Sequence, residues 1–237
     1  MTQMYPKDSL QWYIEPWWVK DSGTDLKRGR LIKAYAPHVD QIPYELNPVG
    51  RTEATVHDKA YFELDVLRID QIKNSPQLPV AAIPQYEGER RAVYRVKKRP
   101  LIVISTGGDE IPKNLRLGKA KWQTSPTILA APFYGIKMTD KRAGFDAKFV
   151  KRIRCCEYSQ YFWDILPIVD GEESILRLDH MQPIGKHHDS ISITEYSLTK
   201  EALSLFDEWI QWLLSGQLSN NSILSDIRQE LLKETLV

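Results

Sequence analysis

ESILRLDHMQPIG, residues 173–185, combines the apolar alternation of a β-strand with two opposite charges. Side chains two positions apart in a strand point to the same face and lie about 6.5 Å apart along it. The sequence therefore predicts one strand in which Leu176 and Leu178 face the core while Arg177 and Asp179 share the opposite surface. The pattern therefore predicts a strand with one buried and one exposed face, and this strand is the starting point for predicting the fold.

The charged pair also has a chemical interpretation. A guanidinium on a rigid element can bind a phosphate bidentately while a neighbouring carboxylate takes a proton from a hydroxyl. RNA has such a hydroxyl at its 2′ position. The alternative is that Arg177 and Asp179 form an exposed salt bridge, worth at most about 1 kcal/mol, on the solvated face of an antiparallel sheet. The two residues alone leave both interpretations open.

Short strand patterns fill most of the chain around this stretch. Strands are predicted at 26–38 (LKRGRLIKAYAPH), 61–69, 91–96, 99–105 (RPLIVIS), 125–135 (SPTILAAPFYG), 149–158 (FVKRIRCCEY) and 161–169. Apolar residues at helical spacing follow, and they predict a helix near 199–215 and a second one at the end of the chain. Many strands followed by helices indicate a mainly β (α+β) fold, a small barrel or curled sheet with helical additions.

The 237 residues are interpreted as a single elaborated domain. Residues 1–25 are predicted to form an N-terminal arm packed on the body, and residues 26–216 to form the barrel. The proline-punctuated stretch 40–98 is interpreted as a long insertion, and 217–237 as a C-terminal helix.

Composition narrows the class of protein. A net charge of +1 gives no global attraction for nucleic acid, so an anionic partner would have to meet a local basic surface. Cys155 and Cys156 are adjacent, and adjacent cysteines rarely bridge, so we predict no disulfide and a reducing compartment. The sequence has neither a signal-peptide pattern nor an apolar run of about 20 residues. We therefore expect a cytoplasmic protein that does not associate with membranes.

Several segments, in this order, resemble the MazF/PemK toxin family with its Kid and CcdB-like relatives. They are LKRGRLIKAYAP (26–37), KRPLIVIS (98–105), SPTILAAPFYG (125–135), ESILRLDHMQPIG (173–185) and the helix SLTKEALSLFDEWIQWLL (197–214). The resemblance covers Leu26 to Pro37 and Arg99 to about Leu214. It implies a small SH3-like β-barrel of the MazF/PemK type with a terminal helix, here enlarged by the insertion and a further C-terminal helix.

The resemblance also implies an activity. Family members that cleave RNA use the 2′-oxygen to attack the neighbouring phosphorus, without a metal ion or other cofactor, and leave a 2′,3′-cyclic phosphate and a 5′-hydroxyl. The family's arginine and aspartate fall on Arg177, which would hold the phosphate, and Asp179, which would be the general base. Its histidine after the first strand is matched by His38. Arg99 would neutralise the developing charge, and a structural ion pair at a strand start is the alternative for that arginine.

The chain departs from the family in two respects. Where the MazF branch has a threonine after the third-strand segment, this sequence has Pro132 and Phe133, and the chain is longer than the usual free-standing toxin. Both departures favour the alternative of a catalytically inactive barrel that binds protein or nucleic acid in a larger assembly, such as a defence system. A CcdB-like topoisomerase poison would need a C-terminal contact motif that the sequence does not show.

A basic and aromatic stretch at 134–154 has the composition that contacts single-stranded RNA. A solvated hairpin tip would have a similar composition. The residues predicted to bind RNA are Lys148, Lys151, Arg152, Arg154 and Tyr134. The partners expected from the resemblance are RNA, an antitoxin or other protein that restrains the activity, and a second copy in a homodimer.

Two histidine-containing pairs are not interpreted as functional sites: the first is taken for a loop and the second as structural. His187 and His188 are adjacent, point in different directions and lack the spacing of a zinc site. His57 with Asp58 shows no arrangement of nucleophile and base.

Overall fold

The computed structural model describes residues 4–39, 41–53, 55–56, 59–70, 88–139, 143–168, 171–186 and 189–234. The chain divides into two compact units. The first unit comprises Met1–Tyr35 and Lys98–Val237, and the second comprises Ala36–Lys97. The stretch 40–98, interpreted from the sequence as an insertion, nearly coincides with the second unit. His57, Asp58, His187 and His188 lie outside the described residues.

The described residues form eleven strands and four α-helices, so the chain is mainly β, as predicted. The strands are β1 (Trp18–Lys20), β2 (Arg30–Pro37), β3 (Tyr44–Arg51), β4 (Ala60–Val66), β5 (Ala92–Val93), β6 (Val96–Ser105), β7 (Ile128–Gly135), β8 (Tyr161–Ile165), β9 (Glu173–Arg177), β10 (Gln182–Ile184) and β11 (Ile191–Leu198). The helices are α1 (Lys121–Thr124), α2 (Ala147–Arg154), α3 (Lys200–Ser215) and α4 (Ile223–Lys233). Short 3-10 helices occupy Leu10–Tyr13, Lys113–Leu115 and Leu178–His180.

The strands belong to two sheets. Within the described residues, an eight-stranded sheet has the order β1-β11-β2-β6-β7-β9-β8, and β10 also pairs with β7. A three-stranded sheet in the second unit has the order β4-β3-β5. Each strand pair whose register is described is antiparallel. The strand order alone does not identify an SH3-like barrel, so that part of the fold prediction stays a prediction.

The N-terminal arm belongs to the first unit and packs against the rest of it. Tyr5, Leu10 and Trp17 are buried in its hydrophobic core, and β1 pairs with β11. The side chain of Asp164, a residue of β8 that is only 1% exposed, forms hydrogen bonds with residues of the arm. Its carboxyl accepts hydrogen bonds from the Tyr5 hydroxyl at 3.0 Å and from Trp18 Nε1 at 3.1 Å. The backbone N–H of Ile165 donates to the same carboxyl at 2.7 Å, so Asp164 joins the arm to the sheet.

The predicted helix near 199–215 is confirmed, and its ends follow from the sequence. The side chain of Thr199 caps the first turn by accepting from the backbone N–H of Ala202, and Gly216 ends α3 in the left-handed conformation at φ 73°. The buried face of α3 comprises Ala202, Leu205, Phe206 and Trp209. α4 buries Leu224, Ile227 and Leu231 in the same core, so its apolar stripe is already covered within the unit.

The prediction of a strand at 149–158 is wrong, because most of this stretch lies in α2. The Asp146 side chain accepts from the backbone N–H groups of Lys148 and Phe149, which fixes the start of a helix. Val150 and Ile153, three positions apart, form its buried side. Alternation of charged and apolar residues suggested a strand, but the cap and this spacing favour a helix.

The two cysteines follow α2. Cys155 and Cys156 are buried free thiols. Among the described residues, no helix has both the length and the apolar character needed to cross a membrane.

Candidate active site

The candidate site lies on a turn that interrupts one edge of β7. β9 pairs with β7 through Phe133 and Leu176, and β10 pairs with the same side of β7 through Ala130 and Gln182. Between these pairs β7 has two residues, 131–132, whereas the opposing chain has five, 177–181. Three additional residues are therefore looped out, and they form the 3-10 helix Leu178–His180.

The turn is anchored at its first residue. Leu178 is 0% exposed, and its backbone N–H donates to the carbonyl of Gln160 at 3.0 Å. The prediction of one continuous strand through 173–185 is therefore wrong: β9 ends at Arg177, and Asp179 belongs to the turn. Burial of Leu178 directs the residues on either side of it outward.

Arg177 and Asp179 meet despite the break in the strand. Arg177 Nε donates to Asp179 Oδ1 at 2.8 Å, and Arg177 Nη2 donates to Asp179 Oδ2 at 2.7 Å. The Arg177 side chain is 22% exposed and that of Asp179 is 35% exposed. The pair is bidentate and open to solvent on one side, so a substrate can reach both groups.

The ion pair sets the charge states of its members. Partial burial opposes ionisation of Asp179, but the hydrogen bonds and positive charge of Arg177 outweigh burial and lower the pKa of that carboxyl. Hydrogen bonding to Asp179 raises the pKa of Arg177. Both groups are therefore charged at neutral pH, and Asp179 is a weak base while Arg177 holds it.

His180 is the third member of the site. Its Nε2 lies 2.6 Å from Arg177 Nη2, and its Nδ1 lies 2.9 Å from the hydroxyl of Tyr134 on β7. An arginine can only donate hydrogen bonds, so Nε2 must accept and the proton of the neutral imidazole must be on Nδ1. His180 therefore donates to the Tyr134 oxygen in this arrangement. Only 12% of its side chain is exposed.

Arg99 approaches the group through Tyr134. Its guanidinium carbon lies 4.0 Å from the centroid of the Tyr134 ring, a cation–π contact. Arg99 lies within β6 rather than at a strand start, since that strand begins at Val96. The structure thus joins three residues predicted for catalysis, Arg177, Asp179 and Arg99, to Tyr134, which was predicted to bind RNA.

Aromatic rings continue from this group toward α2. The guanidinium of Arg177 lies 4.9 Å from the Tyr161 ring centroid, and the Tyr161 and Tyr158 rings pack edge to face at 6.1 Å. The guanidinium of Arg152 lies 5.2 Å from the Tyr158 centroid. Stacked arginines and tyrosines of this kind suit contact with the bases and phosphates of a single strand.

The basic residues predicted to bind RNA differ in their surroundings. Arg152 forms a bidentate ion pair with Glu157, and Arg154 pairs with Asp8 of the N-terminal arm. Lys148 and Lys151 are exposed on α2. Arg154 therefore has a structural role in holding the arm, whereas the two lysines face solvent.

His38 belongs to the second unit, where its backbone N–H donates to the carbonyl of Arg95 at 3.0 Å. The role that the resemblance implies for His38 stays a prediction.

Sequence reasoning missed His180 and Tyr161. His180 directly follows Asp179 in the sequence, and that adjacency was the available signal. In a continuous strand His180 would point to the opposite face from Asp179. The turn reverses this expectation and brings the imidazole to the guanidinium.

The first unit also has a cavity of about 460 Å³ elsewhere. It lies between the arm and the C-terminal helices, and its lining includes Tyr13, Glu15, Glu201, Leu205 and Ile223. None of the residues that line it belongs to the Arg177 cluster. The cluster lies on a partly exposed turn between β9 and β10, where a polymer can be bound along the surface.

No protein-family model matches this chain, and neither a curated protein nor a solved structure is significantly similar to it.

Proposed function

We propose that the first unit is a barrel of the MazF/PemK type that cleaves single-stranded RNA without a metal ion. The observation that supports this most is the sharing of the Arg177 guanidinium between Asp179 and His180 on an exposed turn. A phosphate ligand and a carboxylate base are held in one hydrogen-bonded group. The products would be a 2′,3′-cyclic phosphate and a free 5′-hydroxyl.

The resting ion pair gives the substrate a way to activate the base. A phosphodiester offers Arg177 the same bidentate geometry as a carboxylate. When the phosphate takes the guanidinium, Asp179 loses the hydrogen bonds that lower its pKa. Asp179 then becomes a stronger base beside the 2′-hydroxyl, and Arg177 stabilises the negative charge on phosphorus.

Arg99 and the aromatic rings would extend the contact with RNA. Arg99 lies over the ring of Tyr134, whose hydroxyl contacts His180, and would neutralise charge on the phosphate. The rings of Tyr161 and Tyr158 lead from Arg177 to Arg152, and Lys148 and Lys151 lie on the same helix as Arg152. These residues would bind nucleotides next to the cleaved linkage.

The partners follow from the resemblance, and the proposed location follows from the sequence patterns described above. We propose a cytoplasmic homodimer that an antitoxin or another protein restrains. Light scattering during size-exclusion chromatography measures the oligomeric state directly.

A non-catalytic binding module is the second candidate. The observation in its favour is that Arg177 and Asp179 already neutralise each other. A module of this kind would bind RNA or protein and leave RNA intact.

Incubation with single-stranded RNA in excess EDTA distinguishes the two candidates. The parent protein is expected to cleave RNA and to leave RNA with a 2′-deoxy nucleotide at the cleaved position intact, because the attacking oxygen is missing. Asp179→Asn is expected to slow cleavage by about 10²- to 10⁴-fold, the usual contribution of a general base. Mass spectrometry identifies the cyclic phosphate and the 5′-hydroxyl.

Asp207→Asn is the matched control, because Asp207 forms an exposed ion pair with Arg28 outside the cluster. It should cleave like the parent. Binding without cleavage by the parent would favour the module, and undiminished cleavage by both Asp179→Asn and Arg177→Ala would reject the site.

A further inference from the structure

RNA cleavage by this route needs a proton donor for the leaving 5′-oxygen. Arginine is a poor donor because its pKa stays above about 12. Hydrogen bonding to Asp179 raises the pKa of Arg177 still further. Asp179 is assigned to the opposite task, that of accepting the proton of the 2′-hydroxyl. The proposed reaction therefore lacks an acid among Arg177, Asp179 and Arg99.

We propose that His180 is this acid and that Tyr134 is the residue that positions it. The inference rests on the proposed ribonuclease function and deepens it, since it assigns a group to the second proton transfer. It also differs from the expectation for His38, because His180 lies on the same turn as Asp179.

The hydrogen bonds of His180 support the assignment. Nδ1 is held by the Tyr134 hydroxyl at 2.9 Å, and the Tyr134 ring packs edge to face on the imidazole at 5.7 Å. Arg99 covers the Tyr134 ring, so the tyrosine is held in turn. The remaining nitrogen, Nε2, points at the guanidinium that would bind the phosphate. A group so oriented faces the atoms that react.

Substrate binding would change the state of Nε2. In the resting site the Arg177 Nη2 donor occupies that nitrogen at 2.6 Å, so Nε2 has no proton. When Arg177 turns to the phosphate, Nε2 is released and can take a proton from water. The Asp179 carboxylate, whose Oδ2 lies 4.0 Å from Nε2, stabilises the resulting imidazolium.

The proton transfers balance over one turnover. Asp179 accepts the proton of the 2′-hydroxyl as the bond between the 2′-oxygen and phosphorus forms. His180 gives the Nε2 proton to the 5′-oxygen as the bond between phosphorus and that oxygen breaks. Asp179 then releases its proton to water, which balances the proton that Nε2 took from water on substrate binding. Nε2 is again without a proton, so the site returns to its starting state. Neither an oxidant nor a metal ion enters the reaction.

A change of leaving group isolates this step. Two RNA oligonucleotides of the same sequence are compared, one natural and one in which sulfur replaces the 5′-oxygen at the cleaved linkage. A thiolate leaves without prior protonation, so its departure does not need the acid. His180→Gln is expected to cleave the natural RNA about 10²-fold more slowly than the parent, and the sulfur-containing RNA at nearly the parent rate.

Two further variants separate catalysis from folding and from positioning. Tyr134→Phe removes the hydrogen bond to Nδ1 and keeps the ring, so it should slow cleavage of the natural RNA less than His180→Gln does and should slow the sulfur-containing RNA less than the natural RNA. Asp179→Asn should slow both substrates, because both need the 2′-oxygen activated. Circular dichroism of each variant verifies the fold.

The outcomes distinguish the two levels of proposal. Equal slowing of both substrates by His180→Gln, or no slowing of either, would overturn the role of His180 and leave the ribonuclease function standing. If the parent cleaves neither substrate, the proposed function itself fails, and the role of His180 fails with it.

Discussion

Asp164 lies in β8, Asp179 lies on the turn after the neighbouring strand β9, and the two carboxyls have opposite surroundings. Asp164 is 1% exposed and accepts hydrogen bonds from Tyr5, Trp18 and the Ile165 backbone. The Asp179 side chain is 35% exposed and is paired with Arg177. Burial raises the pKa of Asp164 to about 8 although its donors oppose the rise, whereas Arg177 lowers the pKa of Asp179 against the effect of burial.

This difference separates a structural carboxyl from a reactive one. Asp164 lies among neutral donors that belong to the arm and to β8, and no described salt bridge involves it. Asp179 lies beside a cation that a phosphate can draw away. The partner and its accessibility, rather than the residue type, decide which carboxyl is suited to chemistry.

Replacing each carboxyl in turn should separate the two roles most strongly. Asp164→Ala leaves Trp18 Nε1 and the Ile165 N–H without this acceptor, and leaves the Tyr5 hydroxyl only its longer contact with the Ile165 carbonyl at 3.4 Å. Each buried unpaired group costs about 1–3 kcal/mol, so we expect a loss of at least about 2 kcal/mol of unfolding free energy. Asp179→Ala removes a partly exposed ion pair and should cost about 1 kcal/mol or less. Urea denaturation followed by tryptophan fluorescence measures both, and equal losses would contradict the distinction.

The pH dependence of stability sharpens the comparison. The pKa of Asp164 is about 8 in the folded protein and about 4 when unfolded, so the folded state binds more protons between these values. Its contribution to stability is complete below about pH 4 and decreases as the pH rises toward 8. One such group gives a slope of at most about 1.4 kcal/mol per pH unit.

Denaturation of the parent and of Asp164→Asn across this pH range tests the sign. The asparagine keeps an oxygen acceptor and cannot ionise, so its stability should be less dependent on pH. Asp179 has the opposite sign, since its lowered pKa contributes stability that disappears only in acid. If the unfolding free energies of the parent and of Asp164→Asn changed equally with pH between pH 5 and 8, that result would contradict the raised pKa of Asp164.

The smallest expected effect concerns one donor. Tyr5→Phe removes the hydroxyl that donates to Asp164 at 3.0 Å and keeps the aromatic ring in the core. We expect a loss of about 1 kcal/mol, the usual net value of one hydrogen bond. Its melting curve should lie between those of the parent and Asp164→Ala. RNA cleavage at a temperature where the variant is folded should match the parent.

Local sequence signals predicted many of the elements. Thr199 and Gly216 mark the ends of α3 because a cap and a left-handed glycine act within a few residues. The strands at 99–105 and 125–135 followed from apolar runs that end at glycines. The tryptophans of residues 1–25 favoured an arm that packs on the body, but no sequence signal predicted the burial of Asp164 beneath it.

The candidate site was only partly predictable, because its geometry depends on strand register. Arg177 and Asp179 were identified from their spacing, but the three residues looped out between β9 and β10 become visible only against β7. His180 was overlooked for that reason. α2 was missed because alternation of charged and apolar residues outweighed the capping signal of Asp146.

The looped-out turn Leu178–His180 carries two residues of the candidate site but takes no part in the pairing of β9 and β10 with β7. Residues 177 and 181 flank the three residues of the turn, and removing these three would bring β9 and β10 into one register along β7. Such a deletion would leave Phe133 opposite Leu176 and Ala130 opposite Gln182, while Asp179 and His180 would be lost. Asp179 and His180 thus lie on an inserted turn, which natural or laboratory variation can exchange while Arg177 and the ladder of the sheet stay the same.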